Sequence, residues 1–165
     1  MIIQEATIED AAGMAKVGVD TWRATYGGIM ADEYLDSLSY ERSAQSWIRR
    51  LSEDPGFTYV ALSDANEIVG YAHAGPERDG DQDYTGELYA IYVLREHHGE
   101  GIGKMLVQTV AERFAEDGIK GMIIWVLSAN PSRGFYERIG GRFLRTKMVD
   151  IGGRELEESA YGWRL

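Results

Sequence analysis

An apolar run from Leu88 to Leu94 leads into His98-Gly99-Glu100-Gly101-Ile102-Gly103-Lys104. From there Ile102, Met105, Leu106, Val110 and Phe114 recur every three or four residues. The run reads as a strand and the recurrence as a helix with one buried stripe, so the glycine-rich residues between them must turn the chain from one to the other. Three glycines in five positions let the main chain take positive φ and come close to a ligand. Such a turn leaves the first N–H groups of the helix without intrahelical partners, an arrangement suited to a phosphate or another anion. A tight turn needs glycine too, so the loop gains its meaning from the rest of the chain. The chain has no Gly-Lys-Ser/Thr P-loop and no Gly-x-Gly-x-x-Gly Rossmann fingerprint.

The other segments organise around this one. Ile2 to Glu5 reads as a short strand. Thr7 with Glu9 and Asp10 marks a helix start, and Ala11 to Tyr26 carries a helical pattern ended by Gly27-Gly28. Two further helical pieces cover Ala31 to Leu38 and Glu41 to Leu51. Phe57 to Ser63 and Glu67 to Gly75 form a hairpin around Asp64-Ala65-Asn66. Gly86 to Leu94 is the strand before the glycine turn. Met122 to Leu127 is a continuous apolar run, as in a strand buried on both faces. Asn130-Pro131 reads as the cap and first position of a helix closed by Gly140-Gly141. Arg142 to Ile151 and Glu155 to Leu165 pair around Gly152-Gly153. The order β-α-α-α-β-β-β-α-β-α-β-β predicts an α/β or α+β fold with a mixed sheet and helices on it, not a regular βαβ repeat.

At 165 residues, without linker or repeat, one domain over residues 1–165 is expected. A net charge of −10 argues against binding nucleic acid or an anionic membrane surface. No cysteine is present, which removes disulfides, thiolate metal ligands and a cysteine nucleophile. His73, His97 and His98 lack a metal-ligand spacing, so no metal is expected. No signal-like N-terminus or membrane-length apolar run is seen, and a cytoplasmic protein is the expectation.

Two segments carry a resemblance. Leu88-Tyr89-Ala90-Ile91-Tyr92-Val93 running into His98-Gly99-Glu100-Gly101-Ile102-Gly103 resembles the acetyl-CoA signature of the GCN5-related N-acetyltransferase (GNAT) superfamily. In that signature a strand leads to Arg/Gln-x-x-Gly-x-Gly/Ala. About 30 residues on, Asn130 followed by Phe135-Tyr136-Glu137-Arg138-Ile139-Gly140-Gly141 is similar to the superfamily's Asn…Phe-Tyr-Glu-Lys-Leu-Gly-Phe segment. Trp22 to Gly28 and the ending Tyr161-Gly162-Trp163 resemble one branch. The order and spacing agree over the whole chain. His98 replaces the usual Arg or Gln, Glu100 stands where Lys is common, and Asn130 lies six residues before Tyr136 where many members have seven.

The resemblance implies a single-domain GNAT-like fold: a mixed, mostly antiparallel sheet of six to seven strands flanked by about four helices. It implies acetyl-CoA as cosubstrate. Its pantetheine arm would pair with backbone at Ile91, Tyr92 and Val93, and its pyrophosphate would rest on amides of Gly99, Glu100, Gly101, Ile102, Gly103 and Lys104 behind His98. Asn130 either touches the cofactor or only caps its helix. Tyr136 is implied as the general acid that protonates the departing thiolate, with Phe135 facing the core. An ammonium has a pKa near 10.4, so the amine must first lose a proton. Glu87 is the candidate base; His73 or a water relay is the alternative. Trp22 and Tyr26 share a helix face and, by resemblance, flank the acceptor pocket. The acidic loop Glu77 to Asp83 either attracts a cation or is merely solvated. Trp125, Tyr161 and Trp163 read as sheet core.

These residues point to an N-acetyltransferase that moves an acetyl group to an amine by direct transfer in a ternary complex. The alternative is a non-catalytic acyl-CoA-binding module on the same fold. The acceptor stays open among small-molecule and peptide amines, and the resemblance admits a homodimer through the C-terminal strands.

Overall fold

The computed structural model covers residues 1–165. After β1 (Ile2–Glu5), the Thr7 N–H donates to the Asp10 carboxylate at 2.8 Å, and one 3-10 turn leads into α1 (Ala11–Tyr26). Next come α2 (Asp32–Ser37) and α3 (Tyr40–Glu53), the latter capped by the Ser39 hydroxyl, which accepts from the Arg42 N–H. β2 (Phe57–Leu62) and β3 (Ile68–Pro76) make the first hairpin, and Asn66 takes the left-handed conformation in its turn. Then follow β4 (Gly86–Val93), α4 (Ile102–Glu116), β5 (Gly121–Leu127), α5 (Arg133–Arg138), β6 (Arg142–Ile151) and β7 (Arg154–Arg164).

The seven strands lie in the order β1-β2-β3-β4-β5-β7-β6, and β4–β5 alone is parallel. This is the mixed, mostly antiparallel sheet expected, with five α-helices against the four expected. α1 and α3 cover one face and α4 the other. Alternation along β3 sorts the side chains. Tyr71 and His73 meet Trp47 of α3 edge-on at 5.2 and 5.1 Å, while Ala72 and Ala74 join Leu106, Val110 and Phe114 of α4. Each large side chain buried there contributes roughly 1.5–3 kcal/mol.

Two features of β4 create the site. First, His73 pairs with Ala90 and Ala74 with Leu88, which leaves Tyr89 as a bulge. The bulge reverses the alternation, so Leu88, Ile91 and Val93 all pack toward α4 while Ala90 and Tyr92 face α1 and α3. Second, β4 pairs with β5 over Gly86–Leu88 and Met122–Ile124 alone, and no residue from Tyr89 to Val93 pairs with β5. Beyond the bulge the two strands part, and an edge of β4 is left open inside the sheet.

Three local expectations need correction. Met105 is 37% exposed, and Val107 joins the buried stripe in its place. The buried residues step by four, so the stripe advances about 40° per step and carries Val107 in and Met105 out. The helix after Asn130 begins at Arg133, not at Pro131. Asn130 Oδ1 accepts from the Ser132 N–H at 2.8 Å, a side-chain turn that holds the chain out of helix for two more residues. Trp125 is only partly buried; it lines the opening between β4 and β5.

Candidate functional site

Gly99 and Gly101 have φ of +82° and +81°. An added Cβ would meet nothing within 4 Å at either position, so the backbone angle itself is what demands glycine. Gly101 caps α4, whose first hydrogen bond runs from the Met105 N–H to the Gly101 carbonyl at 3.0 Å. The six N–H groups from Gly99 to Lys104 donate to nothing within the protein. Gly103 meets a different demand, because a Cβ there would lie 3.1 Å from the Phe135 ring.

A cavity of about 440 Å³ opens over these amides. Ile91, Val93, His98, Gly99, Gly101, Ile102, Gly103 and Lys104 line it, with Phe135, Tyr136 and Arg138 opposite. It holds Lys104 and Arg138 and no carboxylate, although the whole chain is strongly acidic. Glu100 turns away toward His97, 3.2 Å from its Nδ1. His98 acts as a tie: its Nε2–H donates to the Val93 carbonyl at 2.9 Å and fastens the loop to the end of β4. The helix dipole adds about 0.3–1 kcal/mol for an anion bound at these amides. Phe135 is not a core residue as expected, since it lies over Gly103 in the wall of this cavity.

A second cavity of about 260 Å³ occupies the parting of β4 and β5. Tyr136 lines both cavities and joins them. It is 6% exposed, and its hydroxyl makes no hydrogen bond. Burial, with the nearby Tyr92 and Tyr26 hydroxyls, holds its proton well above the usual phenol range, so Tyr136 is protonated at neutral pH. The Trp22 and Tyr26 rings meet at a tilt of 47° in the wall, 4.5 Å between centroids. The Trp22 Nε1–H donates to the Tyr92 hydroxyl, and Asn130 Nδ2 donates to the Tyr26 hydroxyl, both at 2.9 Å. Asn130 therefore shapes the second cavity, as does the Tyr92 side chain, and neither lines the first.

The structure does not bring Glu87 and Tyr136 into one cavity. Glu87 is 2% exposed, and its carboxylate accepts from the Arg78 N–H, Nε and Nη2 at 3.2, 3.3 and 2.7 Å. Removing Arg78 strands that charge. Arg78→Ala is expected to cost about 2–3 kcal/mol and lower the melting temperature by roughly 5–10 °C, as read by a thermal scan.

His73 sits in a neighbouring cavity beside Arg78 and Tyr89. Its Nδ1 is hydrogen-bonded to the Thr58 hydroxyl at 2.8 Å, and its Nε2 lies 3.4 Å from Asp54. Burial lowers its pKa, partly offset by Asp54, so the ring is neutral in the fold. The unfolded chain then takes up the proton first. The contribution of His73 to stability is complete above the ordinary value of 6.5 and is lost as pH falls through the lowered one. Melting temperatures measured from pH 7.5 down to 5 are expected to drop, with a shallower drop in His73→Gln.

The acidic loop is a tie and not a cation trap. Asp79 binds Lys147 at 2.7 Å, Asp81 binds Arg145 at 3.0 Å, and the Glu77 carboxylate accepts from the Asp79 and Asp81 N–H groups.

The sequence reading missed Glu158, Thr21 and Trp125, which all line the second cavity. Glu158 did leave a signal: it shares a strand face with Leu156 and Ala160, where an apolar residue is expected.

Comparison with known proteins agrees with this geometry. Residues 19–141 match the family described as acetyltransferase (GNAT). A Bacillus subtilis (strain 168) relative, the uncharacterized N-acetyltransferase YuaI, is 36% identical over 98% of this chain and 91% of its own length. A Rhodopseudomonas palustris GCN5-related N-acetyltransferase structure superposes with a TM-score of 0.79 at 18% identity, covering 99% of this chain and 95% of that one. The PaiA N-acetyltransferase of Thermoplasma acidophilum, solved in complex with coenzyme A, gives 0.71 at 23% identity over 96% and 98%.

Proposed function

The chain belongs to the acetyltransferase (GNAT) family, and on that premise we propose that it moves an acetyl group from acetyl-CoA to an amine of a small molecule. One observation carries this reading. Six consecutive free amides, the open edge of β4 and the Tyr136 hydroxyl form one continuous path between two cavities. The diphosphate suits the amides of Gly99 to Lys104 with Lys104 and Arg138 beside them. The pantetheine arm suits the free edge from Tyr89 to Val93, where its amides replace the missing strand. The thioester then lies at the parting of the strands, next to Tyr136.

The work left to the protein is positioning and proton transfer. The amine enters the second cavity along the wall of Trp22 and Tyr26. As its nitrogen bonds to the acetyl carbon and the carbon–sulfur bond breaks, Tyr136 gives its proton to the departing sulfur and recovers one from the new amide nitrogen. Glu87 is bound by three donors from Arg78, outside both cavities, and takes no part in the transfer. Transfer is direct, since no cysteine is available to carry the acetyl group.

The test is a thiol-release assay with acetyl-CoA against a panel of amines, alongside calorimetric titration with CoA. Binding and turnover are expected. Binding without turnover of any amine would favour an acyl-CoA-binding module, and no binding would remove the reading.

A further inference from the structure

The second cavity contains one carboxylate, and nothing in the protein uses it. Glu158 stands on β7 opposite Leu127 of β5 and Lys147 of β6, half-buried, with no hydrogen bond and no ion pair. Lys147 is instead bound to Asp79, and Arg78 to Glu87. A half-buried carboxylate without a partner costs the fold free energy, and such a cost persists where function requires it.

A second observation is independent of the charge. Two buried side-chain polar atoms have no partner anywhere in this protein, Thr21 Oγ1 and Trp125 Nε1, and both residues line this same cavity. An indole N–H can only donate, so whatever satisfies Trp125 must accept. Trp125 is also held in place, with Lys147 Nζ 4.1 Å and the Arg145 guanidinium 5.4 Å from its ring.

From these we infer that Glu158 binds the acceptor's ammonium group and takes its proton, and that the acceptor is a small primary amine bearing an oxygen that Trp125 and Thr21 recognise. This rests on the acetyl-transfer reading. The ammonium gives one proton to Glu158, and the neutral nitrogen forms its bond to the acetyl carbon. The carbon–sulfur bond breaks, and sulfur takes the Tyr136 proton. The phenolate recovers a proton from the nitrogen, and Glu158 returns its own to solvent. One amide, one thiol and one released proton result.

The groups facing Glu158 set its titration. Burial raises its pKa above the ordinary 4.5; Lys147 and Arg78 oppose this, and Glu87 and Asp79 add to it. Tyr26, Tyr92 and Tyr136 stay neutral, their pKa values all raised chiefly by burial. A raised carboxylate pKa favours the fold fully below 4.5, and that benefit is lost as pH rises through the raised value.

Glu158→Gln therefore makes two opposite predictions. Its melting temperature should exceed that of the wild type at pH 7.5 and match it near pH 4. Its kcat/KM for the best amine of a panel of amino acids, amino acid amides, polyamines and alkylamines should fall at least 100-fold. The acid limb of the pH–rate profile should disappear, and CoA affinity should be unchanged. Trp125→Phe should raise KM for oxygen-bearing amines with kcat retained. A Glu158→Gln variant as active as wild type overturns the role of Glu158 while acetyl transfer stands. Preference for plain alkylamines overturns the acceptor class. A wild type that binds no CoA and acetylates nothing overturns acetyl transfer itself and this inference with it.

Discussion

Tyr136→Phe is expected to lower kcat by about 10²–10³-fold, the usual worth of a positioned general acid, while the affinity for CoA stays that of the wild type. The split follows from where the residue sits. Its ring belongs to the wall that joins the two cavities and stacks with Tyr161 at 6.1 Å, and phenylalanine keeps that packing. The hydroxyl is bonded to nothing in the protein, so its removal leaves no orphaned partner. The fold should therefore be as stable as before, and only the proton delivered to sulfur is missing. Stopped-flow or steady-state thiol release, with calorimetric binding in parallel, reads both quantities. An unchanged kcat would remove the acid role from Tyr136. A large loss of affinity would mean that the hydroxyl helps to bind CoA and does not act only as a proton donor.

Gly101→Val should abolish measurable CoA binding, a loss of at least 100-fold in Kd, or about 2.7 kcal/mol. At φ +81° a valine is strained by roughly 1–2 kcal/mol or more, although there is space for its side chain. The chain can relieve the strain only by turning this peptide, which re-aims the amides on both sides and shifts the first turn of α4. Gly101→Ala suffers less strain and should bind with intermediate affinity. Circular dichroism and the melting temperature separate a lost cradle from a lost fold. The helix beyond the loop is anchored by Ile102, Leu106, Val110 and Phe114, which are all at most 3% exposed. Normal CoA binding by Gly101→Val would mean that the diphosphate lies elsewhere.

The contrast between Tyr136 and Glu87 shows how far sequence reasoning reaches. Both were placed on the right elements. The hydroxyl of Tyr136 is free and shared by two cavities, whereas the carboxylate of Glu87 is taken by an arginine that the chain supplies nine residues away. Nothing in the spacing of Arg78 and Glu87 announces that pairing, because it depends on how the loop after β3 folds back over β4. Tyr136 meets the cavities as the resemblance implies, but Phe135, expected in the core, shares the wall of the first cavity with it. A six-residue helix has no stripe long enough to orient it.

What the sequence determined by itself was whatever local chemistry dictates. Glycines at 99 and 101 permit positive φ, period-four apolar residues make α4 amphipathic, and the Gly152-Gly153 hairpin fixes the register of the last two strands. These follow from backbone sterics and side-chain spacing within a few residues. The tertiary structure alone decided which groups are left without partners. β4 and β5 part after three paired residues because a bulge at Tyr89 turns one of them. The space so opened gathers Thr21 from α1, Trp125 from β5 and Glu158 from β7, residues separated by 104 and 33 positions in the chain. A free hydrogen bond or an unpaired charge belongs to the assembled sheet, and no stretch of sequence contains it.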